Sequence, residues 1–438
     1  MDNYALKRSR SADRCHLLAR VPVYDDQGNT IFYELKFTAG NMLKANALKE
    51  KHIWHIIQGY FHRRSMVNFV GPRALAMISF PLSPKLEEYL PYFPANKLII
   101  KISKREAPTI SSMHMVSHLN HQNIRFAIEV GVLLSTDWIK CIKAIEYVLI
   151  RQDSDFDEKL LLVAQLRMEA PWIKFVVTGV HNREGLKLAF ANGAHYVKSS
   201  YFDFKTLEEY QKNGSLEGNL CQEYHSLSDL LRVVRYHEED SALIHAKLKS
   251  YPTIVRDVIR LIVFHHKDVD FVQISSYNAA CKYLGTELVN SYLAIAIMRH
   301  LALCFTKATS TDNLGLHLEP FKYALIHGKF FYLISKHLKT YDIDQEPFLD
   351  GIFANIDFFL AQKKEILLEN DLMIELMRAK LSSYSIASKI YTLITSIESL
   401  KFQRMLEATN ALNIPSGAVV SCYEKAVVWS NKLFEKIY

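Results

Sequence analysis

Residues Leu17 to Tyr24 read LLARVPVY and residues Phe32 to Phe37 read FYELKF, and these two runs decide the fold of the first half of the chain. Both runs are rich in the aliphatic and aromatic residues that favour strands. Between them, Asp25-Asp26-Gln27-Gly28-Asn29 has the composition of a turn. The sequence therefore predicts a β-hairpin with strands Leu17–Tyr24 and Thr30–Phe37.

Six more β-rich runs follow this hairpin up to about Phe202, and helical patterns such as Asp155–Met168 and Arg183–Ala191 separate most of them. Strands that alternate with crossover helices are typical of parallel sheets. Eight of them predict a closed, TIM-like (β/α)8 barrel, modified because its first hairpin breaks the all-parallel rule. The six further predicted strands are Ala74–Phe80, Lys97–Ser103, Ile124–Glu129, Ile145–Ile150, Ile173–Val177 and His195–Lys198.

The hydrophobic period changes after Phe202. Lys212–Asn219 reads KNGSLEGN, a composition typical of a linker. Beyond it the helical period dominates, and Ile254, Val258, Leu261 and Ile262 share one helical face. The predicted helices are Leu227–Arg235, Thr253–Phe264, Tyr277–Leu284, Glu287–Ala302, Phe321–Leu338, Phe348–Lys363 and Tyr384–Leu400.

The fold class is therefore α/β followed by all-α. We predict a disordered basic tail at residues 1–14, a barrel domain at 15–205, a linker at 206–225 and a helical domain at 226–438. A chain of 438 residues is long enough for two such cores.

Composition indicates a globular protein of the cytoplasm. Apolar residues make up 49% of the chain and charged residues 23%. No apolar run approaches the roughly 18–20 residues that span a bilayer. The basic start, with Lys7, Arg8 and Arg10, lacks the apolar segment of a secretory signal. Six cysteines stand singly, without a C-x-x-C pair, which fits a reducing compartment and disfavours a zinc ribbon.

The net charge of +7 does not by itself indicate a nucleic-acid partner. The basic residues are dispersed among 46 acidic ones, and the N-terminal tail is the single basic block. Nucleic acid is therefore not an expected partner, because no recognition motif accompanies the charge.

Four motifs in order along the chain resemble those of bacterial EAL-HDOD signalling proteins. The two runs Leu17–Tyr24 (LLARVPVY) and Phe32–Phe37 (FYELKF) together resemble the opening of the EAL barrel. Pro252–Ile262, Ile274–Gly285 and Phe348–Asp357 resemble three segments of the HDOD domain. The resemblance covers roughly residues 17–434 and implies an EAL barrel followed by an all-helical HDOD domain.

The resemblance also implies that the barrel has lost its chemistry. EAL phosphodiesterases linearise cyclic di-GMP with two divalent metals, which require oxygen ligands and a base to activate water. Here Glu34 keeps the name-giving acid, but the following phosphate-binding arginine is Thr38, and both acids of the next-but-one strand are Lys101 and Lys104. Glu129 keeps one more carboxylate. The other family positions fall at Ser79, Leu149, Arg151, Thr178, His181 and Lys198.

The helical half carries no HD-type metal motif either. A His-Asp dipeptide is absent from the sequence despite eighteen histidines. Where an HD phosphohydrolase reads G-L-L-H-D, this chain reads Gly351-Ile352-Phe353-Ala354-Asn355. The imitation at His265-His266-Lys267-Asp268 has the wrong order and lies at a predicted helix end, where cations suit the helix dipole.

We therefore predict a catalytically inactive signalling protein that acts through protein–protein interactions, with no catalytic, cofactor-binding or metal-ligating residues and no cofactor. Its partners are other signalling or regulatory proteins, and the emptied barrel is a second binding or dimerising surface. The alternative is a receptor that binds cyclic di-GMP, or another nucleotide, without hydrolysis, although Thr38 disfavours it. A further prediction is that Lys101 lies within salt-bridge reach of Glu34 and Glu129, where a metal would bind.

Overall fold

A computed structural model describes residues 16–39, 54, 57–58, 61, 65–180, 183–199, 218–236, 241–266, 274–308, 318–338, 347–355 and 385–437. The chain divides into two compact units. The barrel unit comprises Met1–Asp203 with Leu393–Glu424, and the helical unit comprises Phe204–Thr392 with Lys425–Tyr438. The predicted tail at 1–14 and most of the predicted linker lie outside the described residues, so the domain boundaries stay predictions.

Eight strands close into a barrel in the order β1 to β8, as the sequence predicted. β1 is antiparallel to both neighbours, β2 and β8, and the remaining neighbours are parallel. The strands are β1 His16–Tyr24, β2 Thr30–Ala39, β3 Leu75–Ile78, β4 Leu98–Lys101, β5 Arg125–Glu129, β6 Ile145–Arg151, β7 Lys174–Thr178 and β8 Tyr196–Lys198.

The predicted turn joins β1 to β2. The Asp25 carboxylate accepts hydrogen bonds from the backbone amides of Gln27 and Asn29 at 3.0 and 2.8 Å. Gly28 has a φ of 76°, a left-handed conformation that glycine adopts without a steric penalty. This local chemistry fixes the hairpin register, in which Val21 lies opposite Glu34.

Side-chain alternation divides the barrel interior into layers. The apolar layer contains Val23, Phe32, Met77, Ile99, Ala127, Tyr147, Leu149 and Val176, all nearly inaccessible to solvent. Because side chains on one face of a strand recur every two residues, the next inward positions toward the strand ends are Glu34, Lys101 and Glu129. The barrel therefore has an apolar floor beneath a charged layer.

Helices and 3-10 helices connect the barrel strands. Trp138 is fully buried among them, and its indole Nε1 donates a hydrogen bond to the carbonyl of Glu106. The helices are α1 Val67–Val70, α2 Lys85–Tyr89, α3 Ile110–His121, α4 Val130–Ser135, α5 Phe156–Glu169 and α6 Arg183–Ala191. The 3-10 helices are Leu90–Tyr92, Ala95–Lys97 and Asp137–Ala144.

The described residues after 217 are helical apart from turns, which confirms the all-α prediction for the second half. The predicted apolar face of Ile254, Val258, Leu261 and Ile262 is buried. The helices are α7 Gly218–Tyr236, α8 Ser241–Leu248, α9 Pro252–His265, α10 Tyr277–Leu284, α11 Thr286–Ala308, α12 Leu318–Ser335, α13 Pro347–Phe353, α14 Ile386–Glu398, α15 Phe402–Ala411 and α16 Ser416–Ile437.

Two element boundaries differ from the sequence predictions in an informative way. The helix predicted to begin at Leu227 begins at Gly218, inside the predicted linker, because Gly218 and Asn219 fall in its first turn and do not interrupt it. The strand predicted at Lys97–Ser103 spans Leu98–Lys101, because Lys97 belongs to the preceding 3-10 helix, and Ile102 after the strand still donates a backbone hydrogen bond to Ala127 on β5 at 2.8 Å. The predicted continuation of the Phe348 helix beyond Asn355 lies outside the described residues.

Two glycines allow α12 and α13 to approach closely. A Cβ atom at Gly351 would lie 2.5 Å from the carbonyl oxygen of His327 and 2.7 Å from Cα of Gly328. These separations are shorter than any non-bonded contact tolerates, so a side chain cannot be accommodated without moving the helices.

None of the helices in the described ranges is long and apolar enough to cross a bilayer.

Candidate functional site

A cavity of about 670 Å³ opens at the barrel mouth, where the strands end. In (β/α) barrels this end carries the functional site. Its charged lining residues are Lys36, Lys101, Lys104, Glu129, Arg151, Asp153, Lys159 and Lys198.

Glu34 lies at the bottom of this charged layer, and its side chain is 7% exposed. The ammonium of Lys198 lies 2.7 Å from Oε2 and that of Lys101 lies 3.1 Å from Oε1. Lys36, on the same strand as Glu34, approaches Oε2 at 3.7 Å from a more exposed position. Each carboxylate oxygen of Glu34 thus has a lysine of its own.

Lys101 also reaches the second retained carboxylate. Its Nζ lies 3.6 Å from Oε1 of Glu129, and Lys104 approaches Oε2 of the same group at 3.2 Å. The Lys101 ammonium therefore bridges Glu34 and Glu129, which confirms the sequence prediction. Sequence reasoning missed Lys198 as a partner, since 164 residues separate it from Glu34.

The electrostatics of the cluster favour an ionised Glu34. Burial raises the pKa of Glu34, but the ammonium groups of Lys198, Lys101 and Lys36 together outweigh it and lower the pKa to about 2. Burial lowers the pKa of Lys198, and attraction to Glu34 offsets part of that effect. A carboxylate so stabilised stays charged throughout the physiological range and cannot act as a general acid there.

Two carboxylates held by lysines do not fit a divalent metal site. Magnesium and calcium require several oxygen donors, whereas an ammonium has no lone pair to donate and repels the cation. Here the Lys101 ammonium occupies the position between Glu34 and Glu129 where such an ion would contact both. In the part of the chain that the structure describes, no three His, Cys, Asp or Glu side chains converge in a way that could hold a metal ion.

The other positions that were compared with the EAL motifs carry few side chains that could bind a metal. Ser79 is exposed just after β3, while Leu149 is buried within the apolar layer and also lines the cavity. Arg151 and Thr178, at the ends of β6 and β7, line the cavity. The side chains of Thr38 and His181 lie outside the described residues.

The helical unit contains a buried polar pair at the position compared with the HD motif. Asn355 occupies the place of the aspartate, and its Nδ2 lies 3.1 Å from Nδ1 of His327 on α12. Both residues are less than 7% exposed. His265 ends α9 and His266 caps it, as predicted from the helix-end argument. Sequence reasoning missed His327, because no motif marks it and only the packing of α12 on α13 brings it to Asn355.

No protein-family model matches the chain, and no curated protein sequence matches it. Solved EAL domains are similar to its barrel half at low identity. An EAL domain protein from Listeria monocytogenes EGD-e aligns over 45% of this chain and 92% of its own, with 14% identity and a TM-score of 0.34. The EAL domain of FimX from Pseudomonas aeruginosa, bound to c-di-GMP, aligns over 46% and 95%, with 15% identity and a TM-score of 0.34.

A third similar structure contains more than the aligned EAL domain. The Bacillus subtilis YkuI protein, with an EAL domain and in complex with substrate c-di-GMP and calcium, aligns over 54% of this chain and 70% of its own. Its identity is 12% and its TM-score 0.35. The similarity to these structures thus extends over about half of the chain.

Proposed function

We propose that this chain is a catalytically inactive member of the EAL-HDOD signalling proteins and acts in bacterial signal transduction by binding other proteins. The observation that carries the proposal is the Lys101 ammonium between Glu34 and Glu129, at 3.1 and 3.6 Å. This lysine supplies the positive charge that a metal would otherwise supply to these carboxylates, but it cannot coordinate a water molecule and lower its pKa as a metal ion does.

The experiment is an assay for hydrolysis of cyclic di-GMP by the full chain with Mg²⁺ or Mn²⁺, with chromatographic detection of the linear dinucleotide. We expect no product above the buffer blank, while an active EAL phosphodiesterase run in parallel turns the substrate over. Metal-dependent release of product that is lost in Glu34→Gln would overturn the proposal. Circular dichroism of that variant controls for folding.

The charge of the cavity supports a second candidate function, metal-independent binding of an anionic nucleotide such as cyclic di-GMP. Among the described residues, six cationic side chains surround three carboxylates there: Lys36, Lys101, Lys104, Arg151, Lys159 and Lys198 against Glu34, Glu129 and Asp153. The excess of positive charge attracts phosphates. Cavity size also suits a small ligand.

Calorimetric titration with cyclic di-GMP in EDTA separates the two candidates. Binding that is unchanged by EDTA and lost in Arg151→Glu would establish the receptor. A matched control is Lys140→Glu, since Lys140 is an exposed barrel-unit lysine that pairs with Asp137 away from the cavity lining. Absence of binding both with EDTA and without it would exclude the receptor and favour the protein-binding function.

A further inference from the structure

The helical unit carries a surface cluster of lysines around two aromatic rings. Nζ of Lys329 lies 4.5 Å from the ring centroid of Tyr332 on the same helix and 5.2 Å from that of Trp429 on α16. Nζ of Lys336 lies 4.2 Å from the Tyr332 centroid. Cations within about 6 Å of a ring are attracted by its quadrupole, so the rings hold these lysines in place.

Helix periodicity extends the cluster along α16. Lys425 and Lys432 are four residues before and three residues after Trp429, which places them on the same side of the helix. Both are exposed, as are Tyr332 and Lys336. We use the term basic–aromatic patch for Lys329, Tyr332, Lys336, Lys425, Trp429 and Lys432.

The lysines of the patch have no ion-pair partner in the described part of the chain, although Glu435 follows Lys432 by three residues on α16. Within the described ranges, no carboxylate forms an ion pair with Lys329, Lys336, Lys425 or Lys432. Burial lowers the pKa of Lys329, and the neighbouring Lys336 lowers it further. Carboxylates placed on the patch would relieve this repulsion and form charge-assisted hydrogen bonds.

The geometry favours a protein over a nucleic acid as the source of the negative charge. Proteins that bind single strands stack bases on open aromatic faces. Here two ammonium groups lie over Tyr332 and one of them also lies over Trp429, so a base would have to displace a lysine before stacking. In a bound protein segment, carboxylates would reach the ammonium groups directly, while apolar side chains would contact the edges of the rings. Aromatic residues of this kind are enriched at the centres of protein interfaces.

We propose that the basic–aromatic patch docks an acidic segment of a partner protein, one that alternates carboxylate and apolar side chains. The inference rests on the proposed function, since it names the surface through which the helical unit binds a partner. The two lysines at the end of α12 and the two on α16 are each seven residues apart, which is about two helical turns, so one extended segment can place carboxylates on both members of a pair.

The test is fluorescence anisotropy of a fluorescein-labelled Glu-Leu repeat peptide with the full chain. We expect saturable binding that weakens with salt and weakens at least about tenfold in Lys336→Glu with Lys432→Glu. The matched control is Lys282→Glu, which reverses an exposed lysine on α10 of the same unit and should leave the affinity unchanged.

Two results would overturn the inference. One is failure of the acidic peptide to bind, or equal binding to wild type and the double variant. The other is tighter binding of an oligothymidylate that the peptide cannot displace, which would assign the patch to nucleic acid. The hydrolysis assay is independent of both results, so a failed patch and a failed proposed function are distinguishable.

Discussion

The ammonium of Lys198 lies closer to Glu34 than that of Lys101 does, at 2.7 Å against 3.1 Å, and both lysine side chains are 14% exposed. The strand partners explain the arrangement. β8 pairs with β1 through Val23 and Lys198, and β1 pairs with β2 through Val21 and Glu34. Closure of the barrel therefore joins the last strand to the second through an ion pair at its mouth.

Lys198→Met should destabilise the barrel more than Lys101→Met. The first change leaves an oxygen of a buried carboxylate without its nearest cation and should cost about 3 kcal/mol, whereas the second leaves that contact intact and should cost about half as much. Urea unfolding followed by tryptophan fluorescence measures both. Equal losses would contradict the order of the two contacts.

The same pair gives a double-variant test. Lys198→Met combined with Glu34→Gln should recover much of the stability lost in Lys198→Met, because no unpaired charge remains buried. Lys174→Met is the matched control, since Lys174 pairs with Glu146 at 2.9 Å on a more exposed part of the same barrel. It should cost less than about 1 kcal/mol. Additive losses in the double variant would exclude coupling between Glu34 and Lys198.

The free energy of unfolding of the barrel should depend on pH in the acid range, because Glu34 titrates there. The pKa of Glu34 is depressed to about 2 in the folded state, so its contribution is present above the unfolded pKa near 4.5 and is lost as pH falls toward 2. The full contribution is on the order of 3 kcal/mol. The stability difference between wild type and Glu34→Gln should therefore shrink from about pH 5 downward. A difference that does not change with pH would refute this role.

Gly351→Ala should disrupt the helical unit. The new methyl group would lie 2.5 Å from the carbonyl oxygen of His327, so α12 and α13 must separate, at an expected cost of several kcal/mol. Gly417→Ala is the matched control, because nothing lies within 4 Å of a Cβ there and alanine favours the helix by up to about 1 kcal/mol. Thermal unfolding of the two variants should shift in opposite directions.

Limited proteolysis should cut between Asn213 and Glu217, ahead of α7. Polar segments with small residues are preferred sites of proteolytic cleavage, and residues 213–217 have that composition. Mass spectrometry of the fragments locates the cut. Cleavage inside 65–180 while residues 213–217 stay intact would place the boundary between domains elsewhere.

The barrel was predictable from the sequence because its signals are local. Each strand is a short apolar run bounded by turn residues, and the hairpin is set by Asp25 and Gly28 within five residues of chain. The predicted fold class, a closed eight-stranded barrel followed by a helical half, is therefore confirmed. The assignment of the C-terminal segment Leu393–Glu424 to the barrel unit has no such local signal, since it arises from contacts between residues far apart in sequence.

The site was only half predictable. Alternation along β4 was enough to turn Lys101 toward Glu34, and the structure confirms that contact. The same alternation along β8 gives Lys198 the parity of Tyr196, which packs against the barrel interior. This alternation along β8 would have predicted that Lys198 points toward the barrel interior. The basic–aromatic patch could not be foreseen, because Trp429 and Lys329 are a hundred residues apart and meet only through helix packing.

On the proposed function, the lysines at the barrel mouth make the charge balance of Glu34 independent of metal supply. A counter-ion that is part of the polypeptide is synthesised together with the carboxylate it neutralises, so chelators cannot remove it and ion concentrations cannot tune it. Recruitment of a metal ion to Glu34 would also require more than one substitution. Lys101→Glu alone would bring a third carboxylate beside Glu34 and Glu129 while Lys198 still pairs with Glu34. Such a variant should fold less well than the wild type and bind metal less well than a site without Lys198.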